Sequence, residues 1–214
     1  WKLAGGAKES CPLYTTEGGW LHIPKDALVE GALQAKAKGF SGSKVKIGKP
    51  HGSEDYDRLS AMRKALGDGF EIMTDCNQGF TVDEAIRRAA RLAELDLAWI
   101  EEPLPADDLD GHIRLTRSTP TPIAVGESMY SIRHFREYMQ KGACSIVQVD
   151  VARIEHCGII HPGGGLRRDD GGGGQEAAFR ADLNPGRPLC AADRRGVDGG
   201  VAQGVCNLGW VELH

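Results

Sequence analysis

Short apolar runs alternate regularly with segments of helical period from residue 12 to residue 154 of this chain of 214 residues. Parallel strands need a crossover helix between them, so this alternation is typical of βα units that share one parallel sheet. The predicted strands are Leu13–Thr15, Lys44–Ile47, Glu71–Thr74, Ala98–Ile100, Ile123–Val125 and Ser145–Val149. The predicted helices are Pro24–Lys38, Glu54–Leu66, Val82–Leu95, Leu109–Arg117 and Ile132–Lys141. We therefore predict an α/β fold.

Two of the predicted helices carry a start signal. Ser53 stands directly before Glu54 and Asp55, and Thr81 precedes Asp83 by two residues. A hydroxyl side chain can accept a hydrogen bond from the first free backbone N–H groups of a helix, and acidic side chains favour its first turn. We expect Ser53 and Thr81 to cap these helices.

Polar side chains stand at the ends of the strands predicted after the first. They are Lys44 and Lys46, Asp75, Glu101, Glu127 and Asp150. Counted from Lys46, the successive steps are 29, 26, 26 and 23 residues, and one unit of a (β/α)₈ barrel takes roughly 30 residues. The carboxyl ends of barrel strands form one rim, which carries the active site in such enzymes. We therefore predict a partial (β/α) TIM-type barrel over residues 1–154, with these side chains gathered at its rim.

Three of the strand-end residues, Asp75, Glu101 and Glu127, are carboxylates, and no thiolate or imidazole stands at a matching position. Hard oxygen ligands favour Mg²⁺, and three converging carboxylates repel one another unless a cation neutralises them. A single acidic residue after a strand is usually a helix cap or a loop residue. Five polar strand ends in regular order, the lysine pair and Asp150 included, favour a functional site instead.

Lys44 and Lys46 are two residues apart on one predicted strand, so their side chains point to the same face of the sheet. A lone Lys-x-Lys pair is usually a solvated strand end. If this face is the barrel interior, the two ammonium groups lie close together, which would lower a lysine pKa and free one amine as a base. Glu102 directly follows Glu101 and should face away from it, so we assign Glu102 a structural role.

These motifs resemble the enolase superfamily, and within it the mandelate racemase and muconate lactonizing enzyme branch. The matching segments are Lys44-Val45-Lys46, Asp75-Cys76-Asn77-Gln78, Trp99-Ile100-Glu101-Glu102-Pro103, Gly126-Glu127 and Gln148-Val149-Asp150. Three further segments are similar to the acid-sugar dehydratases that act on L-talarate and galactarate. They are Gly18-Gly19-Trp20-Leu21-His22-Ile23-Pro24, Lys46-Ile47-Gly48-Lys49-Pro50 and Ser53-Glu54-Asp55.

The resemblance implies a chemistry for the predicted rim. Asp75, Glu101 and Glu127 would ligate Mg²⁺, which would hold the substrate carboxylate. Lys46 would be the catalytic base that removes the α-proton. Lys44 would also take part in catalysis, because it would help to hold the substrate carboxylate and would depress the pKa of Lys46. Asn77 would bind substrate or a metal-bound water, and Asp150 would orient a catalytic histidine on the next strand.

Dehydration of an aldarate or aldonate to a 2-keto-3-deoxy acid is the reaction that the resemblance implies. Two alternatives stay open. A racemase or epimerase of a 2-hydroxy acid would use the same site, and a catalytically inactive metal-binding barrel fragment would retain the ligands alone.

The chain departs from the family pattern at both ends. Relatives carry an N-terminal α+β capping domain, and this chain begins with Trp1, where that domain is expected to end. The partner histidine of Asp150 is expected near residue 177, where the sequence is Glu176-Ala177-Ala178. Residues 155–214 hold about half of the 29 glycines. A disordered segment and a change of reading frame in GC-rich DNA both account for this composition.

Charge and composition exclude several partners. The formal net charge is -4 and basic residues alternate with acidic ones, so we expect no nucleic-acid partner. No apolar run approaches the length of a membrane span, and the first residues do not form a signal peptide, so we expect no membrane partner. The six cysteines form no C-x-x-C pair, which is typical of reduced cytoplasmic thiols. A small carboxylate substrate is the expected ligand, and the complete protein is expected to form a homo-oligomer.

Overall fold

Parallel strands alternate with helices along the computed structural model, which describes residues 12–150, 153 and 190–192. The strands are β1 (Leu13–Thr15), β2 (Gly42–Lys46), β3 (Glu71–Asp75), β4 (Trp99–Glu101), β5 (Ile123–Val125), β6 (Ile146–Val147) and β7 (Cys190–Ala192). The helices are α1 (Lys25–Ala37), α2 (Gly52–Leu66), α3 (Val82–Leu92), α4 (Leu109–Ser118) and α5 (Ile132–Lys141), with a 3₁₀ turn at Ala93–Leu95. The predicted α/β class is confirmed.

All strand pairs are parallel, and the sheet order is β6-β5-β4-β3-β2-β1-β7. Each strand from β1 to β6 therefore lies beside the next one in sequence, which is the arrangement of consecutive βα units in a barrel. The chain has the partial (β/α) barrel fold that the alternation predicted. The sequence had not predicted β7, because three residues inside a glycine-rich segment show no strand period.

The helix starts agree with the prediction at one position and differ at another. Thr81 caps α3, where its hydroxyl accepts a hydrogen bond from the Glu84 N–H. The prediction for Ser53 is wrong, because α2 already begins at Gly52 and His51 is its N-cap. Glu54 stabilises this start differently, since its carboxylate accepts a hydrogen bond from the His51 N–H at 3.1 Å.

The sheet separates two apolar clusters. The larger one lies between the helices and one face of the sheet. The smaller one consists of Tyr14, Met73, Trp99, Ala124 and Ile146, on the face that a barrel encloses. Because side chains alternate along a strand, the residues two positions after Met73 and Trp99 point to the same enclosed face. The small cluster therefore forms a floor beneath the ends of β3 and β4.

Two further predictions concern the described part of the chain. Cys76 and Cys144 are free and buried, as expected for reduced thiols. Within the described residues, no helix combines the length and the apolar character that crossing a membrane would need. The two interpretations of residues 155–214, a disordered segment and a change of reading frame, fall on residues that lie, apart from 190–192, outside the described residues.

Gly126 is a position where the fold requires glycine. Its φ is +145°, and a Cβ there would overlap the backbone of Gln148. We expect Gly126→Ala to lower the free energy of unfolding by about 3 kcal/mol, from the unfavourable backbone conformation and the overlap together. Urea unfolding measures this change.

Gly31→Ala is the matched control. Gly31 lies inside α1, and a Cβ there meets no atom within 4 Å. Alanine should stabilise this helix by about 0.5–1 kcal/mol. An equal effect of the two substitutions would contradict the packing argument at Gly126.

Candidate active site

The backbone register places the predicted rim residues of β2, β3 and β4 side by side. Lys46 pairs with Asp75 across β2 and β3, and Asp75 pairs with Glu101 across β3 and β4. Lys44 lies one layer lower on the same face of β2, opposite Met73. The strand spacing thus predicted correctly that these side chains share one edge and one face of the sheet.

Ion pairs connect these four side chains. The Lys44 Nζ lies 2.7 Å from the Glu101 Oε1 and 3.6 Å from the Asp75 Oδ2. The Lys46 Nζ donates at 2.5 Å to the Asp75 Oδ2 and at 2.5 Å to the Asn77 Oδ1. The carboxylates of Asp75 and Glu101 are almost fully buried, whereas Lys46 retains 22% of its side-chain exposure. Lys46 is therefore the most exposed of these four charged side chains, followed by Lys44 at 14%.

Two side chains for which the sequence predicted no role orient Glu101. The Trp99 Nε1 donates to the Glu101 Oε2 at 3.0 Å, and the Gln148 Nε2 donates to the same oxygen at 3.1 Å. Trp99 stands two residues before Glu101 on one strand, so the strand period could have identified it. Gln148 comes from the neighbourhood of β6, and only the barrel geometry brings it to β4.

Burial and neighbouring charges shift several pKa values at this edge. Burial raises the pKa of Tyr14 to about 12, with the Glu101, Asp75 and Glu127 carboxylates adding to the effect and Lys44 opposing it. For Lys44, burial acts against the charged form, but the Glu101, Tyr14 and Asp75 charges outweigh it and raise the pKa. Carboxylates thus dominate the surroundings of Lys44, and its pKa is raised where we had expected a close lysine pair to lower a lysine pKa.

Glu127 follows the end of β5 by two residues and is half-buried. Burial raises its pKa, and the negative charges of Glu102 and Asp75 raise it further, while Lys44 and Lys46 act in the opposite direction. Burial likewise raises the pKa of Glu101, partly offset by Lys44. Glu127 therefore belongs electrostatically to the same cluster.

The loops after β3, β4 and β5 are connected through Gln78 and Glu102. The Gln78 Nε2 donates to the Ser128 Oγ at 2.9 Å, and its Oε1 accepts from the Ala106 N–H at 2.9 Å. Glu102 is buried, and its Oε1 accepts from the Ser128 N–H at 3.1 Å. The structural role predicted for Glu102 agrees with these contacts.

Asn77, Gln78 and Glu102 all adopt positive φ values, of +44°, +62° and +41°. Non-glycine residues rarely adopt this conformation, and where they do the surrounding structure must hold it in place. The Gln78 N–H, which donates to the Glu102 carbonyl at 2.7 Å, is one such contact. The loop conformation brings the Asn77 side chain to Lys46.

Asp150 lies three residues beyond β6 and is partly exposed. Its Oδ2 is 3.2 Å from the Arg153 Nε, and its carbonyl accepts from the Arg153 N–H at 3.1 Å. Both of these contacts connect Asp150 to Arg153. The orientation of a histidine by Asp150 stays a prediction.

A buried charged network supports the segment that follows Lys46. Asp55 accepts hydrogen bonds from the Gly48 N–H at 2.9 Å and from the Arg88 Nη1 at 2.6 Å. Arg58 lies beside it and donates to the Lys46 carbonyl at 3.0 Å. All three charged side chains are buried. This network could not be predicted from the sequence, because Asp55 and Arg88 lie 33 residues apart and only the fold brings them together.

The carboxylate oxygens of Asp75, Glu101 and Glu127 are donors of the kind that divalent cations such as Mg²⁺ prefer. Asp75 and Glu101 are adjacent buried carboxylates, and the charge of Asp75 raises the pKa of both Glu101 and Glu127. A cation placed among them would relieve this repulsion. As the side chains stand, Lys44 and Lys46 pair with Asp75 and Glu101, and no group of three or more His, Cys, Asp or Glu side chains in the described part of the chain has a geometry that could hold a metal ion.

Comparisons with known proteins point to one family. Residues 27–158 match the family described as Enolase C-terminal domain-like. L-talarate/galactarate dehydratase from Salmonella typhimurium is 40% identical over 153 residues, which cover 72% of this chain and 38% of that protein. 3,6-anhydro-alpha-L-galactonate cycloisomerase from Streptomyces coelicolor is 42% identical over 155 residues, which cover 72% of this chain and 42% of that protein.

A solved structure is also similar to this chain in three dimensions. L-talarate dehydratase from Polaromonas sp. JS666, complexed with Mg and L-glucarate, is 37% identical, with a TM-score of 0.68 over 72% of this chain and 43% of that one. The chain spans about two fifths of the length of the curated relatives that it matches.

Proposed function

Because the chain belongs to the Enolase C-terminal domain-like family, we propose that it is the barrel part of an enzyme that removes the proton α to the carboxylate of an acid sugar. The observation that supports this proposal most strongly is the partly exposed Lys46 amine paired with the buried Asp75 carboxylate, next to Glu101 on the neighbouring strand. Acid-sugar dehydration is the finer proposal, and it rests on relatives such as L-talarate/galactarate dehydratase.

Lys46 acts as the base in this proposal. The neutral form of its amine accepts the α-proton, and the ammonium group that results is the form that donates to the Asp75 and Asn77 oxygens, both 2.5 Å away. The electron pair of the broken C–H bond forms a double bond between the α-carbon and the carboxylate carbon, and the C=O electron pair moves onto the carboxylate oxygen. When this pair returns, the double bond shifts to the α- and β-carbons and the β-hydroxyl leaves as water, with a proton returned by the Lys46 ammonium group. The resulting enol then becomes a 2-keto-3-deoxy acid.

Lys44 and the carboxylates have separate roles. Lys44 is largely buried and held by Glu101, so it contributes a fixed positive charge for the substrate carboxylate. Asp75, Glu101 and Glu127 would hold Mg²⁺, and Trp99 and Gln148 would keep Glu101 in orientation. Bound Mg²⁺ would supply the positive charge that offsets the negative charge developing on the substrate carboxylate.

Removal of the α-proton can also lead to isomerisation instead of dehydration. The cycloisomerase from Streptomyces coelicolor shows that relatives of similar identity do not all carry the name dehydratase. A racemase or epimerase, and a barrel fragment that binds metal without turnover, remain our alternatives. Assembly of the complete protein into a homo-oligomer also remains a prediction.

Hydrogen exchange tests the proposed reaction without assuming its final product. We expect the full chain with Mg²⁺ to exchange the α-proton of galactarate for deuterium in D₂O, as followed by proton NMR, and EDTA to abolish the exchange. New 2-keto acid signals would identify a dehydratase, and exchange without them would favour a racemase. Absence of exchange at high protein concentration would contradict the proposed activity and favour a barrel fragment that binds metal without turnover.

The predicted metal ligands can be tested apart from turnover. We expect Asp75→Asn to weaken Mg²⁺ binding about 100-fold, because a buried carboxylate ligand becomes neutral. Calorimetric titration with MgCl₂ measures this change. Asp57→Asn is the control, since Asp57 pairs with Lys25 on the exposed side of α2 and should leave Mg²⁺ affinity unchanged. Equal affinities for wild type and Asp75→Asn would refute the assigned ligand.

A further inference from the structure

An exposed tryptophan lies beside the proposed base. Trp20 retains 56% of its exposure, and the Lys46 Nζ lies 5.7 Å from the centroid of its ring. A lysine ammonium at this distance from an indole is within the range of a cation–π contact. The indole is therefore open to solvent and adjacent to the proposed base, where a ligand bound at the site can reach it.

The backbone of this segment is fixed to β2. The Lys46 N–H donates to the Gly19 carbonyl at 2.8 Å, and the two chains approach so closely that a Cβ at Gly19 would overlap the Lys44 carbonyl. Glycine is therefore required beside Trp20. The close contact sets the height of the indole above Lys46.

Arg58 joins the same two segments from below. Its Nη2 donates to the Trp20 carbonyl at 2.9 Å and its Nη1 donates to the Lys46 carbonyl at 3.0 Å. The side chain is 5% exposed, so both hydrogen bonds are shielded from water. One rigid guanidinium thus links the backbone of the base to the backbone of the tryptophan.

We infer that Arg58 is a positioning residue of the site, and that the Trp20 segment it holds forms an aromatic wall against which the carbon chain of an acid-sugar substrate lies. The indole face packs on the C–H groups of the substrate, while Lys46 meets the α-proton at its edge. The identity of the ligand rests on the proposed function, but the positioning by Arg58 does not.

Fluorine NMR on the full chain labelled with 5-fluorotryptophan tests the positioning. The chain contains Trp1, Trp20, Trp99 and Trp210, and Trp20→Phe assigns the signal of interest. We expect Arg58→Met to move the Trp20 signal toward that of free 5-fluorotryptophan and to make Trp20 more accessible to acrylamide. Arg58→Lys should return the Trp20 signal part of the way to its wild-type position, because a lysine ammonium group can replace one of the two hydrogen bonds to the carbonyls. Arg58→Lys is also the variant to use if Arg58→Met does not fold.

Arg63→Met is the matched control. Arg63 lies on the same helix and also donates to backbone carbonyls, those of Leu95, Phe70 and Asp96, but it does so away from Trp20. Its loss should destabilise the fold and leave the Trp20 signal in place. Identical Trp20 signals in wild type and Arg58→Met, or equal displacement in Arg58→Met and Arg63→Met, would overturn the positioning role.

Addition of galactarate with Mg²⁺ to the labelled protein tests the wall. We expect the Trp20 signal to shift and its quenching by acrylamide to fall, with xylitol, which has no carboxylate, as the inert comparison. A shift of the Trp99 signal without any shift of Trp20 would show that the site binds the ligand and that the wall is wrong. If no signal shifts, the proposed substrate fails, whereas the positioning role is decided by the arginine variants.

Discussion

Replacement of Lys46 by methionine is expected to lower the rate of α-proton exchange about 1000-fold, within the range for loss of a general base. Methionine keeps much of the length and apolar surface of the side chain but cannot accept a proton. Because Lys46 is the more exposed of the two lysines and Asp75 retains Lys44 at 3.6 Å, we expect the stability of the fold to change little. Proton NMR in D₂O measures the exchange, and thermal unfolding measures the stability.

Lys44→Met should affect the stability of the fold more than Lys46→Met does. Lys44 lies 2.7 Å from Glu101, whose carboxylate is almost fully buried, so its loss leaves a buried charge without its nearest cation. We expect a clear loss of stability and weaker binding of galactarate. Lys38→Met, on an exposed position after α1, is the control for loss of a lysine charge. Unchanged exchange in Lys46→Met would exclude Lys46 as the base.

Spacing along the sequence predicted the rim because the architecture itself is periodic. Each βα unit returns the chain to the same edge of the sheet, so Lys46, Asp75 and Glu101 could be aligned by counting residues. The strand period further fixed that Lys44 and Lys46 share one face. These are local or repeating properties, and a single sequence contains them.

Contacts between distant segments could not be predicted in this way. Trp20 and Arg58 meet through a backbone carbonyl, which no residue type reveals. Gln148 reaches Glu101 across 47 residues because the sheet curls toward β6. His51, and not Ser53, caps α2 because the loop after β2 ends there. Hydrogen bonds to Asp55 from the Lys49 N–H and from Arg88 hold this loop in place.

The largest loss of stability is expected for Asp55→Asn. Asp55 is 1% exposed and accepts from the Arg88 Nη1 at 2.6 Å, with Arg58 at 3.9 Å. Removal of its charge leaves two buried guanidinium groups without their shared carboxylate, although Glu84 still pairs with Arg88 at 2.6 Å. We expect the free energy of unfolding to fall by about 3–4 kcal/mol, as measured by urea denaturation.

Asp57→Asn again provides the comparison, because it removes the same charge two residues later on the solvent side of α2. Asp57 and its partner Lys25 are both exposed, and exposed ion pairs contribute little to stability. Equal destabilisation by the two substitutions would show that helix charge, and not the buried network, accounts for the effect. Combination of Asp55→Asn with Arg88→Met should cost less than the sum of the two single changes, because the pair is then removed together.

The buried network also connects stability to the site. Asp55 fixes the Gly48 and Lys49 N–H groups directly after Lys46, and Arg58 fixes the Lys46 carbonyl. At a temperature where Asp55→Asn is still folded, we therefore expect α-proton exchange to be slower than in wild type but faster than in Lys46→Met. Loss of orientation weakens the base, whereas loss of the amine removes it. Wild-type exchange in folded Asp55→Asn would mean that the network stabilises the fold without positioning the base.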